Sequence, residues 1–239
     1  MSSIDIKRLE IKYFVRDSDL QAIIAILSSQ MLLDENCDDH KPYTLTSLYF
    51  DDITDVDLRE KLNGVSRRKK YRLRFYNEVR STGKFEIKRK VGQTVSKSSI
   101  SVAGGEIEEV ISGNFSSLYD HGYDAEIKVM ELGNYRPKCI VSYERIAFFL
   151  PYNQIRVTLD LNLRSHGHSF SHNHHLSEGV SLCPQGHQIL EIKFSDSLPR
   201  AILDQLSLFP LVRTAISKYA ASRLFSISEY HRDLPYFAS

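Results

Sequence analysis

The chain has 239 residues, 42% of them hydrophobic and 26% charged, with a formal net charge of +1. That balance fits a single globular domain spanning residues 1–239 and excludes disordered or collagen-like sequence. The longest apolar runs, such as residues 146–150, fall far short of the ~18 residues of a membrane span, and the first residues lack the apolar stretch of a signal peptide. Three cysteines with no Cys-x-x-Cys pair suit a reducing compartment, so the expected location is cytoplasmic.

The small net charge conceals an uneven distribution. Between Arg67 and Lys97 stand twelve Lys or Arg against two acids, Glu78 and Glu86, while the rest of the chain is acidic. A basic block in an acidic chain points to a local anion site rather than to general affinity for nucleic acid or membrane.

In chain order, residues 6–14 alternate charged (Arg8, Glu10, Lys12) with apolar (Leu9, Ile11, Tyr13), the period of a strand with two unlike faces. A helix follows, its start marked by Ser18 with Gln21 three residues on. Residues 43–51 read as a strand. The alternating runs 70–75 and 84–90 are expected to form an antiparallel hairpin turning at Ser81-Thr82-Gly83. Residues 106–132 read as two short helices around Gly122; residues 139–150, 155–163 and 189–194 read as strands, and residues 199–227 as a C-terminal helical segment. The tripeptide Glu-Ile-Lys occurs four times, three of them in strand patterns and the copy at Glu126 in helical sequence.

At least six of these strands place ions on one face. That face is mostly cationic: Arg8, Lys12, Lys70, Arg72, Arg74, Lys88, Lys90, Arg145, Arg156 and Lys193. Like charges side by side on a sheet repel unless an anion sits among them, and a surface shaped only for solubility interleaves signs. The expected fold is therefore α+β: a closed antiparallel barrel of about eight strands, with a charged, wet interior holding a polyanion and helices over its apolar exterior. Glu10, Glu86, Glu191 and Asp160 share the charged faces, where carboxylates suit Mg2+ or Mn2+ bridging to phosphate. No P-loop and no Gly-x-Gly-x-x-Gly is present, so side chains must grip any nucleotide. Tyr71, Phe75 and Phe85 fall opposite the cations, which argues against a stacking platform for nucleic acid.

The runs Arg8-Leu9-Glu10-Ile11-Lys12-Tyr13, Ser47-Leu48-Tyr49-Phe50-Asp51, Tyr71-Arg72-Leu73-Arg74-Phe75-Tyr76, Phe85-Glu86-Ile87-Lys88, Ser142-Tyr143-Glu144-Arg145, Arg156-Val157-Thr158-Leu159-Asp160 and Leu190-Glu191-Ile192-Lys193 come in this order. Together they resemble the vacuolar transporter chaperone catalytic domain of the triphosphate tunnel metalloenzymes, in a free-standing form similar to bacterial copies. The resemblance implies a polyphosphate polymerase that moves the γ-phosphate of ATP onto inorganic polyphosphate with Mn2+ or Mg2+. It implies phosphate ligands at Lys12, Arg72, Arg74, Lys88, Lys97, Arg145, Arg156 and Lys218, to which the charged face adds Lys193. Glu191 would be the principal metal ligand, with Glu10 and Glu86 beside it. A separate membrane partner receiving the product remains open, as do two rival readings: a tripolyphosphatase or nucleoside triphosphatase using water, and a non-catalytic sensor. Where the hydrolytic branch begins with Glu-x-Glu-x-Lys, this chain has Arg8, which shifts the expectation toward the polymerase. The crowded His166, His168, His172, His174 and His175 match no standard zinc spacing, so residues 165–188 read as a polar loop.

Overall fold

In the computed structural model, which describes residues 9–38, 41–77, 79–92, 94–119, 121–151, 154–167, 179–195 and 197–232, with side chains as far as 226, alternation along the chain becomes one large antiparallel sheet. Its long strands are β1 (Leu9–Arg16), β3 (Tyr43–Asp51), β4 (Arg67–Tyr76), β5 (Val79–Val91), β6 (Thr94–Ala103), β7 (Arg136–Leu150), β8 (Ile155–Ser165) and β10 (His187–Phe194). Three short strands, β2 (Leu32–Leu33), β9 (Val180–Ser181) and β11 (Val212–Thr214), complete the eleven. The helices are α1 (Leu20–Gln30), α2 (Val56–Leu62), α3 (Gly105–Ser112), α4 (Asp124–Leu132), α5 (Arg200–Leu206) and α6 (Lys218–Arg232).

The strand order is β11-β1-β10-β8-β7-β3-β4-β5-β6, with β2 added to β7 and β9 to β8. The sheet is open. Among the described residues no pairing joins β6 to β1 or β11, so the closed eight-stranded barrel expected from the charge pattern does not form. The sheet nevertheless curls: Lys88 Nζ on β5 lies 3.6 Å from Glu10 on β1, although five strands separate them in the sheet order. Two long side chains meeting tip to tip hold their backbones well beyond the ~5 Å spacing that a hydrogen-bonded ladder needs. Charged interior residues thus bend the sheet into a trough while preventing its closure.

The convex face is apolar, as expected, and helices cover it. One core joins Ile23 and Leu27 of α1 and Ile202 and Leu206 of α5 to Phe148, Val157, Leu159 and Leu190. The other joins Ile107 and Val110 of α3 and Ile127 and Met130 of α4 to Tyr71, Leu73, Phe75, Phe85 and Ile87. Glu126 on α4 binds the Arg89 guanidinium at 2.7 Å on this outer side.

Several local expectations need correction. Ser18 does not cap α1: residues 17–19 form a turn of 3-10 helix, and the Ser18 hydroxyl goes to Asp19 instead. The hairpin turns at Asn77 (φ +53°), where Tyr76 already pairs with Val79. Ser81-Thr82-Gly83 belongs to β5 itself. Gly83 is there for space, because a Cβ would lie 3.1 Å from Leu73 and 3.2 Å from Phe75 in the second core. The segment 199–227 is not continuously helical: Pro210, lacking an N–H, follows α5, and the extended Val212–Thr214 pairs with β1 before α6 begins. Strand β6 and helix α2 are additions to the elements expected from sequence. Arg8, His168, His172, His174 and His175 lie outside the described residues.

Candidate anion site on the concave face

Because side chains alternate, Arg72 and Arg74 share the inner face of β4, Glu86 and Lys88 that of β5, Arg156 and Asp160 that of β8, and Glu191 and Lys193 that of β10. The structure gathers the nine cations expected as phosphate ligands, Lys12, Arg72, Arg74, Lys88, Lys97, Arg145, Arg156, Lys193 and Lys218, around five carboxylates: Glu10, Asp34, Glu86, Asp160 and Glu191.

Glu86, 1% exposed, is the hub of the β4–β6 wall. Its Oε2 accepts from Arg72 Nε at 2.6 Å and lies 3.8 Å from Arg74 Nη1, and Lys97 meets its other oxygen. Burial alone would raise the Glu86 pKa, but Arg72, Arg74 and Lys97 outweigh it and hold the carboxyl down at about 2. Tyrosines orient the two guanidiniums: Arg74 donates to Tyr143 Oη at 3.0 Å and to Ser47 Oγ at 3.3 Å, and Arg72 to Tyr49 Oη at 3.4 Å.

Asp160 is the second hub and is fully buried. Arg145 donates to both its oxygens, at 2.6 and 2.9 Å, and Lys218 Nζ reaches Oδ2 at 2.5 Å. Against the cost of burial, these two cations push its carboxyl below the ordinary range. Lys218 arrives from the first turn of α6, whose position is fixed next door: Tyr219 donates to the buried Asp51, and Arg223 pairs with Asp55 at 2.7 Å. Asp51 also accepts from the backbone N–H groups of Asp57 and Leu58 at the start of α2.

The third group lies where β1 meets β10. Lys12 Nζ sits between Glu10 Oε1 at 3.1 Å and Glu191 Oε2 at 3.3 Å; Lys193 holds the other Glu191 oxygen, and Lys88 reaches Glu10 from across the trough. Burial raises both carboxyl pKa values, and Glu191 raises that of Glu10 further, but the surrounding cations prevail and both remain below normal. Arg156 stands farther along, on Asp34 at 2.8 Å and near Tyr43 Oη at 3.5 Å.

Asp34 was not legible as a site residue, since the loop after α1 has no period to assign it a face. The hydroxyls of Tyr43 and Tyr49 were equally hidden, because both read as apolar members of their strand, whereas Tyr143 alternates onto the face of Arg145. His166 shares a 2.6 Å hydrogen bond with Ser142 Oγ, and His187 Nδ1 lies 2.9 Å from Gln185 O.

A divalent cation is implied by the resemblance, and the acids provide a test of fit. Glu10 and Glu191 converge on one point from adjacent strands, both ionised. Two carboxylates are what Mg2+ or Mn2+ commonly takes from a protein when substrate phosphates and water supply the rest. Among the described residues no group of three or more His, Cys, Asp or Glu is arranged as a metal site. Glu86 stands apart from the pair, already engaged by three cations.

A family model, the VTC domain, matches residues 7–226. The chain belongs to the VTC domain family. No curated protein matches. Among solved structures, this VTC domain is similar to a candidate adenylate cyclase from Vibrio parahaemolyticus (12% identity, 90% of this chain and 96% of that one, TM-score 0.49). It is also similar to a candidate adenylate cyclase from Bacillus halodurans (14% identity, 99% and 98%, TM-score 0.47) and a protein from Pyrococcus horikoshii (11%, 93% and 99%, TM-score 0.47). At these scores no function is carried across. No helix among the described residues of the VTC domain is long and apolar enough to cross a membrane.

Proposed function

We propose that this VTC domain is a polyphosphate polymerase, transferring the γ-phosphoryl group of ATP to the end of a growing polyphosphate chain. The observation that carries the reading is the imbalance on the concave face, where nine cations from β1, β4–β8, β10 and α6 surround five carboxylates. That surplus suits an extended chain of phosphates, each oxygen finding a guanidinium or ammonium.

Phosphoryl transfer asks mainly for positioning and for charge stabilisation in place before the reaction. Arg72 and Arg74, braced by Glu86 and three hydroxyls, would clamp the transferred group; Arg145 and Lys218, fixed by Asp160, would orient its neighbours. The terminal oxygen of the polyphosphate attacks the γ-phosphorus, the bond to the β,γ-bridging oxygen breaks, and ADP leaves. Glu10 and Glu191 would hold Mn2+ or Mg2+, which supplies further neutralisation of the phosphate oxygens.

Incubating the purified chain with ATP and Mn2+ tests this by following polymer, ADP and free phosphate together. Polymer and ADP are expected. Arg72→Met or Arg74→Met should lower kcat/KM by about 10²-fold, the usual loss for one charge-stabilising donor, and Glu191→Gln should shift the Mn2+ requirement upward. Phosphate without polymer would replace the polymerase by a triphosphatase, and tight binding without turnover by a sensor.

A further inference from the structure

Each of the nine cations discussed above has a carboxylate oxygen within 4.0 Å. Lys70 shares their face, two residues before Arg72 and opposite Lys88 in the β4–β5 register, yet no carboxylate pairs with it among the described residues. Its Nζ sits 5.7 Å from the ring centre of Tyr49 and 5.6 Å from that of Tyr219, and donates to Ser217 Oγ at 3.2 Å. Those contacts orient an ammonium without neutralising it. A half-buried ammonium facing other cations with no carboxylate beside it is costly unless a ligand supplies the counter-charge.

The charged and titratable groups around Lys70 are Tyr49 on β3, Arg72 on its own strand, Lys88 on β5, Lys12 on β1, Lys61 on α2, Cys139 on β7 and Tyr219 on α6. Burial first, then Lys88, Lys12, Arg72 and Lys61, push the Lys70 pKa well below that of an ordinary lysine. An incoming polyanion reverses the second influence.

We propose that Lys70 is a further phosphate ligand of this site, one that takes up a proton as the polyanion binds. The inference rests on the polyanion-binding part of the function proposed above. Proton uptake on binding makes affinity fall by about tenfold per pH unit between the pKa of the free protein and that of the complex. A polyanion held here is thus bound more tightly as the medium acidifies, unlike one held by arginines alone.

Calorimetric titration of the full chain with inorganic tripolyphosphate, without metal and in two buffers of different ionisation enthalpy, reads both affinity and proton exchange. Lys70→Met should weaken binding by about tenfold, the equivalent of one charge-assisted contact. Lys70→Arg should restore binding to within about threefold while taking up measurably fewer protons than wild type, a comparison in which titration of the ligand itself cancels. Equal proton uptake by wild type and Lys70→Arg, or unchanged affinity in Lys70→Met, overturns the role of Lys70 while leaving polyanion binding intact. Failure of the wild-type chain to bind tripolyphosphate overturns the polyanion site and Lys70 with it. Melting of unliganded Lys70→Met should match or exceed wild type, and if that variant does not fold, the Lys70→Arg proton count decides alone.

Discussion

Glu86→Gln separates the two roles a carboxylate can play in this trough, counter-ion or metal ligand. The residue is 1% exposed and its carboxyl is held at about 2, against 4.5 for a free glutamate. A difference of roughly 2.5 pKa units corresponds to about 3 kcal/mol of stability at neutral pH. The sign follows from the depressed pKa: this stability is present in full above pH 4.5 and is lost as pH falls through 2. Gln retains the size and can still accept from one guanidinium, so the charge is the main thing removed. Urea unfolding should therefore show Glu86→Gln about 3 kcal/mol less stable than wild type at pH 7, with the gap narrowing steadily below pH 4.5. Tripolyphosphate should bind the variant at least as tightly as wild type in the absence of metal, because Arg72, Arg74 and Lys97 lose the anion that competes for them. A stability gap independent of pH would mean that packing, not charge, is the contribution of Glu86. An unchanged gap accompanied by loss of Mn2+ affinity would make it a metal ligand.

Two further substitutions probe the support around the site. Asp57, buried near Asp51 and Glu60, has its carboxyl pushed up to about 8 from 3.8, so it favours folding most below pH 3.8 and costs stability as pH rises toward 8. Asp57→Asn keeps an acceptor for Tyr135 Oη, 3.3 Å away, and should flatten that dependence, leaving the variant on the order of a few kcal/mol more stable than wild type at pH 9 by chemical denaturation; a less stable variant there would refute it. Gly83→Ala forces a methyl against Leu73, Phe75 and the Arg74 carbonyl, and should cost about 1–3 kcal/mol in the same assay. No loss would show that the second core can yield.

Much of the trough could be read from alternation, because a strand's period of two assigns faces without knowledge of its neighbours. That is why Arg72, Arg74, Glu86, Lys88, Glu191 and Lys193 were placed together correctly. Closure could not be read, since it depends on whether two edges far apart in sequence reach each other. Strand β6 is hard to read because its serines blur the contrast between the buried Ser98, Ile100 and Val102 of the helix-covered face and the exposed Ser99 and Ser101 of the other. Helix α2 is only seven residues long, and its first N–H groups are met not by its N-cap Asp55, left-handed at φ +56°, but by Asp51 and Asp52 farther upstream, a spacing that does not announce a helix. The misplaced hairpin turn has a simple physical origin: glycine signals either a bend or a close approach, and at Gly83 the close approach applies, whereas Asn77 carried the turn.

The seam beside β1 has a consequence for how the molecule comes into being. β1 pairs with β10 and β11, so Lys12 meets Glu191 and Thr214 across nearly the whole length of the chain. Contacts of such separation require large loops to close and form slowly. Glu10 and Glu191 lie on this seam, and Lys218 follows immediately after β11. A nascent chain would therefore display the basic hairpin of β4 and β5 well before Asp160, Glu191 and Lys218 could join it. Until then Glu86 is the carboxylate that steadies the hairpin's arginines, and the trough is complete only when the last strand docks onto the first.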